Sequence, residues 1–437
     1  MWNKLRAAVV AGVCVIAMGQ ARGQTVIVPP TATAGGVYID ADGTVKYRQA
    51  DTRDELAAVR ERAKAAALAG KGAKEEKLAF VSLPKLFAEV QELTRAGKEI
   101  PEELRYLHGI TQVRYLFVYP QEKDLVIGGP AEEWTASGKL QPMGKRTGRP
   151  VLQLDDLVVA LRTAGGAQRR AFGCSIDPAP DSLEKSTEVM QKFGTRSHRE
   201  LADAMTRALG PQRVSVFGTQ DDTRVAFICV AADYKLKRLC LGLDASPVAG
   251  VGNAIDNSRA AASRYWFETS YEPLLASKDD SSFELRGQRL QLKAGAQSFD
   301  ERGATEKGKA FAKQFTQKLP ALAAAVPLFA DLQNIADLSI VSALIRHDRL
   351  DEKCGWDLAW VKDPKGYPVP TVAAPKTADT LVNFTNGSLA AGGVILSPET
   401  VVAPEAREED KKDTLAAPRH EAKEAMQQTI PPGREAK

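Results

Sequence analysis

Histidine is scarce, with only four in 437 residues: His108, His198, His347 and His420. None stands in the paired spacing that lets one element hold a zinc ion, so no histidine metal centre is expected. Cysteine is also sparse, and no two cysteines form the C-x-x-C spacing of a redox or zinc motif. The chain has no G-x-S-x-G nucleophile elbow, no H-E-x-x-H pair, no G-x-x-x-x-G-K-[ST] phosphate loop and no G-x-G-x-x-G turn. Those absences remove the common hydrolase, metalloprotease, nucleotide and dinucleotide signatures. No metal or cofactor is implied. Past the N-terminus, no apolar run reaches the roughly 18 residues that a membrane helix needs.

What is present begins with an export signal. Lys4 and Arg6 precede an apolar run from Ala7 to Met18, which is too short to span a bilayer comfortably. Ala21-Arg22-Gly23 places small residues at the −3 and −1 positions, so cleavage is expected between Gly23 and Gln24. Cleavage takes Lys4, Arg6 and Arg22 from 59 basic residues and leaves a near balance with the 55 acidic ones. A nucleic-acid partner would call for a strongly basic face, and none is expected. The predicted address is the periplasm, the cell envelope or the exterior, with no transmembrane span after cleavage. The remaining cysteines are Cys174, Cys229, Cys240 and Cys354. They read as buried free thiols, with a Cys174–Cys240 disulfide as the alternative that export permits.

Arg213–Leu243 is the strongest stretch of core. Val214–Phe217 and Arg224–Val230 carry apolar residues on both faces and read as covered strands about a Gln220–Asp222 turn. Ala232, Leu236, Leu239 and Leu243 then recur at helical spacing, with Asp233, Lys235, Lys237 and Arg238 on the other faces.

Around it the chain divides by composition. Residues 1–23 are the signal peptide, and 24–50 a leader and hairpin, with strands either side of Asp42-Gly43. A charged helix and linker (51–77) precede the main α+β domain (78–250). There Ser82 and Pro84 open a helix, strands flank Pro120–Lys123, and Gly128-Gly129-Pro130 stops the second of them. Short helices are expected at Leu154–Leu161, Ser182–Phe193 and Ser197–Leu209. A second α+β domain or subdomain (251–350) holds an antiparallel group, Arg264–Thr269, Phe283–Arg286 and Arg289–Leu292. It ends in a long helix from Pro327, with Leu328, Leu332, Ile335, Leu338, Val341 and Ile345 on one stripe. A Pro-rich connector and a hairpin over Leu381–Leu396 follow (351–402), then a disordered tail (403–437). Ala391-Gly392-Gly393-Val394 repeats the Ala34-Gly35-Gly36-Val37 string, which would let the chain ends share one sheet. The fold class is α+β, with a mixed, mostly antiparallel sheet and packed helices.

Three places offer chemistry. Asp233, Lys235, Lys237 and Arg238 stand where the central strand becomes a helix; a carboxylate among cations suits a small anionic ligand or a proton-transfer pair. The competing reading is a solvated helix face. Asp155 and Asp156 open a helix, where they complement its dipole. Arg264, Trp266 and Tyr271 with Glu268 form an aromatic strand suited to stacking on sugar or to plain core packing.

Several strings together resemble a family of exported, planctomycete-type proteins defined only by a domain of unknown function. They are GGVYIDADGTVKYR (Gly35–Arg48), YLFVYPQEKDLVIGGPAEEW (Tyr115–Trp134), GRPVLQLDDLVVALR (Gly148–Arg162), FGCSIDP (Phe172–Pro178) and DTRVAFICVAADYKLKRLCLGL (Asp222–Leu243), with weaker likeness in FELRG (Phe283–Gly287) and LQNIADLSIVSALI (Leu332–Ile345). The resemblance implies export and one long domain region, and brings no catalytic residues with it. The leading expectation is a non-catalytic binding or structural component of the envelope, partnered by an envelope protein or a small anionic ligand. The alternative is an unrecognised hydrolase using Asp233 with Lys237 or Arg238.

Overall fold

The structure, a computed structural model, describes residues 37–39, 43–47, 77–135, 142–166, 171–193, 198–255, 262–296, 298–383 and 388–428. The signal peptide, the charged helix over 51–69, the Asp42 turn and Asn386-Gly387 lie outside them. Helix α1 (Leu83–Arg95) starts as its sequence requires: the Ser82 hydroxyl accepts from the Lys85 N–H at 3.3 Å, and Leu83, Leu86, Phe87 and Val90 are buried. Helix α2 covers Leu154–Gly165.

Among the described residues, two large sheets carry the α+β fold, apart from a two-stranded pair formed by Trp134–Thr135 and Met143–Gly144. The larger has eight strands, in the order Val37–Ile39, Thr44–Tyr47, Thr377–Ala378, Gln212–Phe217, Phe172–Asp177, Leu389–Leu396, Ala262–Ser270 and Arg289–Gly295. Its pairings are antiparallel except for Leu389–Leu396 beside Ala262–Ser270 and Thr377–Ala378 beside Thr44–Tyr47. Strands from residues 37–47 and from residues 377–396 therefore share a sheet, and strands from both sides of Gly250 lie in it. The smaller sheet has six strands, in the order Arg407–Glu409, Leu274–Ala276, Ser282–Glu284, Tyr115–Tyr119, Asp124–Pro130 and Leu78–Ser82.

The central stretch differs from expectation. Gln212–Phe217 is a strand, but Val225–Val230 is not. Thr223 accepts from the Ala226 N–H and caps helix α3 (Arg224–Cys240), so the apolar run forms its first two turns. A short apolar run fits a buried strand or a buried helix equally, and here the cap and the helical continuation decide. Helix α4 covers Glu306–Gln317.

Helix α5 (Pro327–His347) is buried from Phe329 to Ile345. Phe329, Leu332 and Ile335 enter the core under the larger sheet, whereas Leu338, Val341 and Leu344 enter the core under the smaller one. It is long and apolar enough to cross a membrane, but nearly all of it is enclosed by the protein.

Other expectations are corrected. Gly128-Gly129-Pro130 continues its strand, pairing with Phe80, Ala79 and Leu78; a Cβ at Gly129 would lie 2.0 Å from the Gln112 carbonyl oxygen, so glycine admits a close neighbour there. Ser282–Glu284 leaves the expected antiparallel group and joins the smaller sheet. Among the described residues of the Leu381–Leu396 hairpin only a Val382–Leu389 bridge forms, because Leu389–Leu396 inserts between two other strands. The tail is ordered through 428: Arg407–Glu409 pairs with Leu274–Ala276, and helix α6 (Ala416–Gln428) lies on the smaller sheet. Its apolar contacts, Ala422 and Met426, are too few to give a readable period.

Candidate functional site

Helix α3 lies against the larger sheet on one side and α5 on the other. The face that its charges suggest is solvated is therefore interior. Asp233 and Lys237, one turn apart, are both 0% exposed. The Lys237 Nζ donates to Gln212 Oε1 at 2.8 Å and to the Ile176 carbonyl at 3.4 Å. Asp233 has no such anchor, and neither carboxylate oxygen has a hydrogen-bond partner. Beneath it is Gly392, where a Cβ would come within 1.8 Å of Asp233 Oδ1. On the opposite face of the strand, a Cβ at Gly393 would come within 2.5 Å of the Phe299 ring. The Gly392-Gly393 pair thus admits a carboxylate on one side and an aromatic ring on the other.

Burial sets the electrostatics. It pushes the Asp233 carboxyl up to about 7, against the pull of Lys237, Arg264 and the Gly393 N–H, which favours the charge without reaching hydrogen-bond geometry. Burial also lowers the Lys237 amine, with the Asp233 charge opposing. The neighbouring thiols are raised by burial first and the Asp233 charge among the further causes, Cys229 to about 12. Cys174, Cys229, Cys240 and Cys354 are all free and buried, so the Cys174–Cys240 disulfide is not formed. Thiols held so far from ionisation are poor nucleophiles.

The other two predicted ligands point elsewhere. Lys235 donates to Asp244 Oδ2 at 2.7 Å, and Arg238 reaches Asp244 Oδ1 at 2.9 Å through Nη2. Burial would raise the Asp244 carboxyl, but bonds and charge from Arg238 and Lys235 bring it below its usual value. The structure brings Asp233 together with Lys237 and separates both from the Lys235–Arg238–Asp244 clamp. The expected four-residue anionic site does not converge.

The remaining candidates are also held in packing. Arg264 donates to the Gly392 carbonyl at 2.8 Å, pairs with Asp177 and lies 4.4 Å from the Phe299 ring centroid. Trp266 meets Phe299 edge-on at 5.6 Å and is buried. Tyr271 belongs to another cluster, donating to Asp337 Oδ1 at 2.8 Å. Glu268 accepts from Gln291 at 3.3 Å. No sugar-stacking face results from these four.

Asp155 and Asp156 do more than complement a dipole. Asp155 accepts from the Tyr367 hydroxyl at 2.6 Å. Asp156 pairs with the buried Arg224, which also pairs with Asp331 of α5. Gln153, with its amide oriented to accept, adds two contacts to Arg224 at 3.1 Å. Burial pushes the Asp156 carboxyl up to about 7 despite Arg224. A second buried cluster joins Asp337 to Arg289 Nε at 3.1 Å and to the Val113 N–H at 3.2 Å. Sequence reading missed both clusters, whose members stand far apart in the chain. The available signal was Asp331 and Asp337 inside a long, mainly apolar helix. An open cleft of about 560 Å³ lies elsewhere, lined by Lys278, Asp280, Asp348, Lys353, Arg407 and Glu408 among others. Arg407 is already paired with Asp348 there.

Residues 174–253 match a protein family described as a protein of unknown function (DUF1598). The match takes in α3 with Asp233 and Lys237, along with Gln212 and Cys174, and leaves Arg264 and Gly392 outside. No curated protein matches the chain, and no solved structure does.

Proposed function

We propose that this chain is an exported protein that binds or braces other components of the periplasm or cell envelope without catalysing a reaction. The observation that carries this reading is the use made of its charged side chains. Lys237 and Arg224 each tie one element to another, and Lys235 and Arg238 hold the turn that follows their own helix, as ion pairs and hydrogen bonds within the fold. The N-terminal signal pattern and the resemblance to planctomycete-type exported proteins supply the address. Mass analysis of the N-terminus tests export: the mature chain is expected to begin at Gln24, and a cytosolic chain retaining Met1 would remove the address. Capture of the mature protein from its own envelope fraction, with bound molecules identified by mass spectrometry, tests the binding role. Retention of a defined protein partner or small anion in stoichiometric amount is the expected result.

One observation favours a second reading, a hydrolase-type enzyme built on Asp233 with Lys237. The Asp233 carboxyl is unpartnered and raised to about 7, the range of a general acid or base. Its 0% exposure means that substrate would reach it only if α3 parted from the sheet. Arg238 is weaker in that role because Asp244 holds it. Hydrolysis of any ester, amide or glycoside that is lost in Asp233→Asn would favour this reading.

A further inference from the structure

We propose that Asp233 is a buried proton-binding switch: uncharged, it lets helix α3 lie flat on the Gly392-Gly393 strand, and loss of its proton loosens that contact. The proposal starts from geometry. Asp233 is fully enclosed, and both carboxylate oxygens lack a hydrogen-bond partner. A charged carboxylate in that state leaves its solvation uncompensated, whereas the neutral acid leaves far less. The cation best placed to neutralise it, Lys237, donates instead to Gln212 and the Ile176 carbonyl. Gly392 lies too close beneath Asp233 Oδ1 for even a methyl group to intervene.

The charged and titratable groups around Asp233 come from three elements. Lys237, Cys229 and Cys240 share its helix. Asp177 and Cys174 come from the neighbouring Phe172–Asp177 strand, and Arg264 comes from Ala262–Ser270. Arg264 is paired with Asp177 and bonded to the Gly392 carbonyl, so its charge reaches Asp233 partly offset. The thiols stay protonated across the physiological range and add no competing titration.

The sign follows from linkage. The carboxyl moves from an ordinary 3.8 to about 7 on folding, so the folded chain holds this proton more tightly than the unfolded chain. Stability is unaffected below the ordinary value, falls as pH rises between the two values and levels off above the higher one. The folding equilibrium constant is expected to drop by more than about tenfold between pH 5 and pH 8.

The test compares the whole mature protein with Asp233→Asn, which keeps the shape and removes the titration. Urea unfolding between pH 5 and pH 8 is expected to show the wild type losing stability relative to the variant as pH rises. A difference between the two that stays constant across the window overturns the proposal. Subtracting the variant also cancels Asp156, which titrates in the same range. If the variant does not fold, carbon NMR of the wild-type Asp233 carboxyl decides: a midpoint above pH 5.5 supports the switch, and a lower one overturns it. Hydrogen exchange corrected for intrinsic rate, read at the Gly392–Val394 amides, is expected to quicken from pH 5.5 to pH 8. Unchanged protection there removes the loosening.

Discussion

Among individual residues, a glycine and an arginine are tightly constrained. Gly392 has ordinary backbone geometry, so its requirement is space: a Cβ would collide with Asp233 Oδ1 at 1.8 Å. Gly392→Ala is expected to cost about 2–4 kcal/mol, as overpacking beside an enclosed helix does. Gly97 provides the contrast. It sits at φ +61° with open space around it, so Gly97→Ala meets only backbone strain and is expected to cost about 1 kcal/mol. Chemical denaturation of the two variants measures the difference; equal losses would mean that the strand moves away from α3 easily. Arg224 is the second such position. Arg224→Leu removes the positive partner of both Asp156 and Asp331 and is expected to cost about 3–5 kcal/mol at pH 8. The loss should shrink at pH 5, where the Asp156 carboxyl, raised by burial to about 7, is protonated and no longer needs the guanidinium. Asp244 carries the opposite sign: its carboxyl is lowered in the folded state, so its contribution is present at neutral pH and disappears on acidification.

The secondary-structure elements were legible where local signals agreed. Ser82 with Pro84 marked α1, and the stepped apolar residues after Pro327 marked α5. Helix α3 was misread over its first two turns because Val225–Val230 has no polar residue to reveal its period. The decisive interaction, Thr223 accepting from the Ala226 N–H, follows directly after a turn that suits a hairpin just as well. Helix α6 was missed for a different reason. Its position rests chiefly on Arg419, which donates to the Val118 carbonyl at 2.8 Å and to Ser282 Oγ at 2.8 Å, while its own carbonyl accepts from the Tyr119 hydroxyl at 2.7 Å. A helix held largely by Arg419 and a Lys423–Glu122 pair, with only Ala422 and Met426 in the core, shows no apolar stripe. Arg419→Ala is expected to free this element while the two cores persist. Limited proteolysis should then cut at Lys411 or Lys412 many times faster than in the wild type, with a small change in the main unfolding transition. Unaltered proteolysis would show that Ala422 and Met426 suffice to hold the helix.

Across the whole molecule, α5 joins two cores through opposite ends of one helix, and the larger sheet joins strands drawn from residues 37 to 396. Composition, the missing catalytic and metal motifs, the α+β class and most element positions were readable from the chain, because each depends on neighbours a few residues apart. The candidate site was only half readable. An i,i+4 spacing placed Asp233 beside Lys237, but it could not say whether that face met water or a sheet. Folding answered that by laying α3 between the larger sheet and α5. Partners far along the chain, Gln212 for Lys237 and Gly392 beneath Asp233, then turned an apparent surface ion pair into an anchored lysine and a solitary buried acid. Local order is set by short-range geometry and solvation. The charge state of Asp233 is set by which distant strand excludes its water.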